Sequence, residues 1–182
     1  RNMISGVWLG VSCSSWSRAR RGPPSSSMPS ALRGDSPDSI WGLPGLGALD
    51  QARIEGGNRT LRFSLRIFRL CIKFNVPVFL ENPLTSRLWL PSPVKSLLES
   101  VDCDTLVFNH CGFGSDFCKP TKVMYACASI ESLRRRCIPK KGGICEFSGS
   151  KHIIFSGNGK MAFSLRRLVP TRVSFAESLL RA

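Results

Sequence analysis

Val76-Pro77-Val78-Phe79-Leu80-Glu81-Asn82-Pro83 is a short apolar run that passes directly into an acid, an amide and a second proline. A run this short, rich in β-branched and aromatic residues and stopped by Asn-Pro, reads as a buried parallel strand ending at Leu80. Glu81 and Asn82 then stand at its carboxyl end, the edge at which open α/β sheets bind ligands. Taken alone, Glu81 reads better as an acid that caps or salt-bridges at the start of a loop.

Upstream of this run lies the strongest helical signal, Asp50 to Asn75. Leu61, Leu65, Phe68 and Ile72 fall on one face and Phe63, Ile67, Leu70 and Phe74 on the adjoining one. Arg59, Arg62, Arg66, Arg69 and Lys73 line the remainder. This is a wide apolar face with a basic stripe, suited to packing on a sheet. Gly56-Gly57-Asn58 is read as a break in the helix or as the cap at which it begins. The handover through Asn75 implies a helix-to-strand crossover.

Further upstream, Met3 to Val11 is apolar and β-prone and reads as a strand with Cys13 at its carboxyl end. Ser14, Ser15 and Ser17 follow, then Arg18, Arg20 and Arg21. A thiol past a strand end and near positive charge is a candidate nucleophile, with a small buried cysteine as the alternative. Residues 22–44 are dense in Pro, Ser, Gly and Asp and read as a flexible loop, either a lid or a linker.

Downstream, Thr85 to Trp89 reads as an irregular turn and Val94 to Ser100 as a short helix. Asp104–His110 and Val123–Ala128 read as strands of an antiparallel hairpin with a long tip. The last third holds basic clusters, Arg134-Arg135-Arg136, Lys140-Lys141 and Lys151, before a helical pattern from Val173 to Leu180 behind Pro170.

With 182 residues the chain is read as a single domain. Twenty-six Lys and Arg against 12 Asp and Glu give a net charge of +14, the sign that attracts phosphate backbones, so nucleic acid is the first partner to consider. Eight cysteines with no signal peptide ahead of them read as reduced, intracellular thiols. No pair is spaced Cys-x-x-Cys, and although His110, Cys111, Cys118 and Cys127 could converge, no metal site is expected. No stretch approaches the ~18 uninterrupted apolar residues of a transmembrane helix, so no membrane is expected either.

Five blocks follow one another over nearly the whole chain: Gly10-Val11-Ser12-Cys13-Ser14-Ser15-Trp16-Ser17-Arg18-Ala19-Arg20; Trp41-Gly42-Leu43; Gly57-Asn58; Leu80-Glu81-Asn82-Pro83 with Ser86 and Trp89; and Cys111-Gly112-Phe113-Gly114 with Lys119-Pro120-Thr121. In this order they resemble the methyltransferase-like domains carried by some tyrosine-recombinase retrotransposons and phages, which look like relatives of the C5 cytosine DNA methyltransferases. The resemblance implies an α/β fold with a Rossmann-like sheet for S-adenosylmethionine-dependent methyl transfer, DNA as partner, and an intracellular setting, nuclear in a eukaryote. It makes Cys13 the nucleophile that adds to C6 of cytosine. Glu81, with Asn82, becomes the acid that hydrogen-bonds ring N3 and the exocyclic amine. Arg18, Arg20, Arg21 and Lys119 become candidate nucleic-acid contacts.

Departures from that family are also on view. Its first motif, a strand and Gly-rich turn that cradle the cofactor, is expected ahead of Arg1, which leaves residues 1–182 as a partial domain. Ser12, Ser14 and Pro83 stand where the enzymes carry Pro, Gln and Val. No Gln-x-Arg-x-Arg segment is present; Cys111 to Thr121 occupies its region. The alternative reading is a catalytically inactive, mobile-element-derived nucleic-acid-binding protein.

Overall fold

In the computed structural model, residues 4–20 and 30–153 are described. They form a mixed α/β structure with one four-stranded sheet and two α-helices. The elements are β1 (Val7–Gly10), α1 (Ala48–Lys73), β2 (Val78–Pro83), α2 (Ser92–Leu98), β3 (Asp104–Asn109) and β4 (Pro120–Ala126). The strand order is β1-β2-β4-β3, with β1 and β2 parallel. Among the described residues no helix is long and apolar enough to cross a membrane. The helix expected from Val173 to Leu180 lies outside the described residues, as do Arg21 and the first part of the 22–44 loop.

The chain divides into two compact units. One comprises Arg1–Leu106 with Lys122–Ser129, the other Val107–Thr121 with Ile130–Ala182.

In the first unit the sequence expectations differ from the structure in four places. β1 is shorter than the apolar stretch from Met3 to Val11, because its ladder to β2 runs only from Val7 to Gly10. β2 does not stop at Leu80 but continues through Glu81 and Asn82 to Pro83. Residue alternation along it is strict: Val78, Leu80 and Asn82 are buried, whereas Phe79, Glu81 and Pro83 are half-buried. Helix α1 runs straight through Gly56 and Gly57, neither a break nor a cap. Two mid-helix glycines cost roughly 0.5–1 kcal/mol each, and burial of Leu61, Leu65 and Phe68 against β2 outweighs that, at about 1.5–3 kcal/mol per side chain. The first of its two apolar faces is covered, and of the second Ile67 packs against the core while Phe63, Leu70 and Phe74 stay exposed.

The fourth difference is the segment read as a flexible loop. Its described part, residues 30–44, is packed: Leu32, Arg33 and Ile40 are each at most 2% exposed. Composition pointed to a mobile stretch because Pro, Ser and Gly dominate it, but one arginine anchors it. The Arg33 guanidinium lies 3.5 Å over the ring of fully buried Trp16. Its Nε donates to Ser15 O at 3.1 Å, Nη1 to Ile40 O at 2.9 Å and Asn58 Oδ1 at 2.7 Å, and Nη2 to Ser15 Oγ at 3.1 Å and Ile54 O at 3.2 Å. All five N–H donors of the guanidinium are thereby used. Every acceptor is neutral, and burial pulls the Arg33 pKa down to about 10, which leaves it charged at neutral pH.

Candidate functional site

The parallel register sets Val7 beside Val78, Trp8 beside Phe79, Leu9 beside Leu80 and Gly10 beside Glu81. Side chains alternate across a sheet, so Trp8, Gly10, Phe79 and Glu81 share one face. Trp8 and Phe79 stack there with ring centroids 5.5 Å apart. The neighbour of Glu81 across the ladder is a glycine, and a Cβ at Gly10 would meet nothing within 4 Å. Space is therefore open beside the Glu81 position. Glu81 lies inside the strand and not past its end, a consequence of β2 running on to Pro83.

Cys13 follows β1 by three residues, half-buried and with a free thiol. Its carbonyl accepts from Trp16 N–H at 3.0 Å, closing a tight turn. Three ties hold this loop to the exit of β2. Asn82 Nδ2 donates to Val11 O at 2.7 Å, Arg87 N–H donates to Trp16 O at 2.9 Å, and Asp35 is shared by Arg18 at 2.7 Å and Arg87 at 2.8 Å. Asn82 is 1% exposed, and its Oδ1 has no hydrogen-bond partner. Asn82 thus ties the exit of β2 to the residue that follows β1.

Several residues of the sequence blocks find physical roles in this frame. Ser86 N–H and Trp89 Nε1 both donate to Pro83 O at 2.9 Å, and Ser86 Oγ caps the short 3-10 turn Arg87–Trp89 by accepting from Leu88 N–H. Asn58, besides holding Arg33, donates to Trp41 O at 2.9 Å. Gly57 packs where a Cβ would collide with Ser15 Oγ and sit 3.0 Å from Arg33 Nη2. Trp41 meets Trp16 edge to face at 6.2 Å.

Of the residues assigned to nucleic acid, Arg18 pairs with Asp35. Arg20 donates to Ser30 O at 3.1 Å and pairs with Asp50 at 3.4 Å. Arg21 lies outside the described residues, and Lys119 is half-buried in the other unit.

A small cleft lined by Asp35, Ile40, Trp41, Leu90, Ser92 and Lys95 measures about 110 Å³.

In the second unit, the thiols and imidazole named in the sequence do not converge as a set. His110 Nε2 lies 3.0 Å from Thr121 Oγ1, its ring stacks on Phe117, and burial followed by the Lys119 charge lowers its pKa. Cys118 Sγ accepts from Asn109 Nδ2 at 2.9 Å. Cys127 belongs to the first unit. A different group assembles instead. The ligand-type atoms of Cys111, Cys137, Cys145 and His152 all lie within 4.8 Å of one another. Intervals of eight residues from Cys137 to Cys145 and seven from Cys145 to His152 form no familiar zinc spacing, which hides the group in the sequence.

Comparison with protein-family models, with curated proteins and with solved structures finds no match to this chain.

Proposed function

We propose that the chain carries the base-activating part of a cytosine-C5 site on a Rossmann-like sheet, as the resemblance to the C5 cytosine DNA methyltransferases implies, with DNA as its partner. The observation that supports this reading is the Gly10–Glu81 register. It puts Glu81 beside Gly10, the last residue of β1 and three residues ahead of Cys13, with open space above Gly10.

In this reading the Cys13 thiolate adds to C6 of an extruded cytosine. The S–C6 bond forms as electron density moves toward C5, and Glu81 hydrogen-bonds N3 and the exocyclic amine to stabilise the developing charge. C5 then takes a proton from water; loss of the original C5 hydrogen and expulsion of the thiolate return the base. Asn82 holds the Val11 carbonyl and so fixes where the Cys13 loop starts. Methyl transfer would draw on S-adenosylmethionine as the methyl donor. The +14 charge supplies the general attraction for the DNA backbone. Eight free cysteines suit a reducing, intracellular compartment, nuclear in a eukaryote.

Exchange of tritium from DNA carrying [5-³H]cytosine tests this without any methyl donor. The folded chain is expected to release tritium, Cys13→Ser to release none, and Glu81→Gln to release it on the order of 10²-fold more slowly. Release that persists in Cys13→Ser sinks the proposal. A folded chain that binds DNA with a steep salt dependence yet releases nothing supports instead a catalytically inactive nucleic-acid-binding protein derived from a mobile element.

A further inference from the structure

The second unit contains a buried cluster built wholly of cysteines: Cys111 at 3% exposure, Cys137 at 8% and Cys145 at 2%, with Cys118 packed against them. The backbone that carries them is irregular. Cys111 sits in the 3-10 turn His110–Phe113, and Cys145 follows Ile144, which bridges to Lys140 and to Lys151. His152 is next after that bridge, and its N–H donates to Gly143 O at 3.1 Å. Three chain segments are thus folded so that three thiols and one imidazole meet.

Their spacing is informative. Cys137 Sγ lies 3.9 Å from Cys145 Sγ and 3.7 Å from His152 Nε2. Four donors placed tetrahedrally around zinc, at about 2.3 Å for sulfur and about 2.0 Å for nitrogen, sit about 3.8 Å apart for S···S and about 3.5 Å for S···N. A disulfide would require about 2.05 Å, and all three cysteines are free. Buried thiols serving only as small apolar fillers need no imidazole nitrogen turned toward their sulfur.

Glu146 N–H donates to Cys137 Sγ at 3.5 Å. Asn109 Oδ1 accepts from Cys137 N–H at 3.1 Å, which fixes the backbone of one donor. A Cβ at Gly112 would come 2.7 Å from Arg135 Cβ, so the residue after Cys111 has to be glycine for that turn to close.

We propose that Cys111, Cys137, Cys145 and His152 form a tetrahedral Cys3His site for a structural zinc ion. Four protein ligands leave no open position, which assigns the metal to folding and not to catalysis. Three thiolates and an imidazole favour zinc over magnesium or calcium, which take oxygen donors. The zinc would staple a unit with little regular structure, in the way small domains lacking a large core are stabilised. The site is independent of the cytosine chemistry proposed for the other unit.

Cobalt substitution of the full chain tests it. The reduced, metal-free chain titrated with Co²⁺ is expected to bind one equivalent. It should show intense visible bands of a tetrahedral field with thiolate-to-cobalt charge transfer, and Zn²⁺ should displace the cobalt. Cys137→Ser and His152→Ala should weaken metal binding on the order of 100-fold or more, since even outer-shell changes cost 10–100-fold. Cys103→Ser, outside the cluster, should bind as the parent does. His152→Cys guards against loss through misfolding alone: it is expected to keep the tetrahedral bands and gain charge-transfer intensity from a fourth thiolate. A weak octahedral spectrum from the parent chain, or full-affinity binding in Cys137→Ser, overturns the proposal.

Discussion

The side-chain amide of Asn82 donates to the main-chain carbonyl of Val11 at 2.7 Å, joining the last residues of β2 to the residue that leaves β1. Val11 lies one residue beyond the paired part of β1, so its carbonyl has no place in the β1–β2 ladder. A buried carbonyl without a donor costs about 1–3 kcal/mol. Asn82→Ala is therefore expected to lower stability by about that amount in urea unfolding. In the tritium-exchange measurement it should lose far more activity than its stability loss accounts for, because the Cys13 loop starts at the released carbonyl. An Asn82→Ala chain as stable as the parent would show that water replaces the amide and that the strut is dispensable.

Arg33 offers a larger effect. It is 1% exposed, and each of its hydrogen-bond acceptors is a neutral group, so the cation is held by neutral dipoles and by the face of the Trp16 ring. Arg33→Met keeps much of the volume but strands the carbonyls of Ser15, Ile40 and Ile54 together with the side-chain oxygens of Ser15 and Asn58. A loss of about 3–5 kcal/mol is expected, comparable to breaking a buried ionic network. Arg33→Lys should recover little of it, because three donors on a flexible stem cannot replace a planar fork that also lies flat on Trp16. Chemical denaturation of both variants measures this. A shift below about 1 kcal/mol in Arg33→Met would mean that water enters and serves the stranded oxygens.

How far these features could be read from the sequence follows from the kind of signal each leaves. β2 was legible because a short β-branched and aromatic run stopped by Asn-Pro has few other interpretations. Its true end was not legible, since Glu81 and Asn82 look like loop residues until Asn82 is seen buried against Val11. Gly56-Gly57 reads locally as a helix break; only the close approach of Ser15 and Arg33 explains why glycine is carried inside α1. Residues 30–44 read as mobile by composition, yet their order rests on Arg33, a single side chain whose partners lie at Ser15, Ile54 and Asn58. The cluster of Cys111, Cys137, Cys145 and His152 left no local trace, because its members are brought together by irregular turns and not by a short repeat.

Asp35 makes the last expectation one of pH. Hydrogen bonds from Arg18 and then Arg87 hold its carboxyl below the usual carboxylate range, and both guanidiniums come from segments that flank the Cys13 loop and the exit of β2. A carboxyl whose folded pKa is depressed contributes stability above its unfolded value, about 3.9, and loses that contribution as pH falls through the folded value. The clasp should therefore be complete from pH 5 upward and fade below about pH 4. Because the Asp35 side chain is 51% exposed, its worth is that of a surface pair, about 0–1 kcal/mol, and added salt should reduce it. Urea unfolding of the parent and of Asp35→Asn at several pH values reads this directly. The gap in midpoint between them should be present at pH 7 and shrink toward pH 3; a gap of equal size at both ends would mean that Asp35 acts through packing and not through its charge.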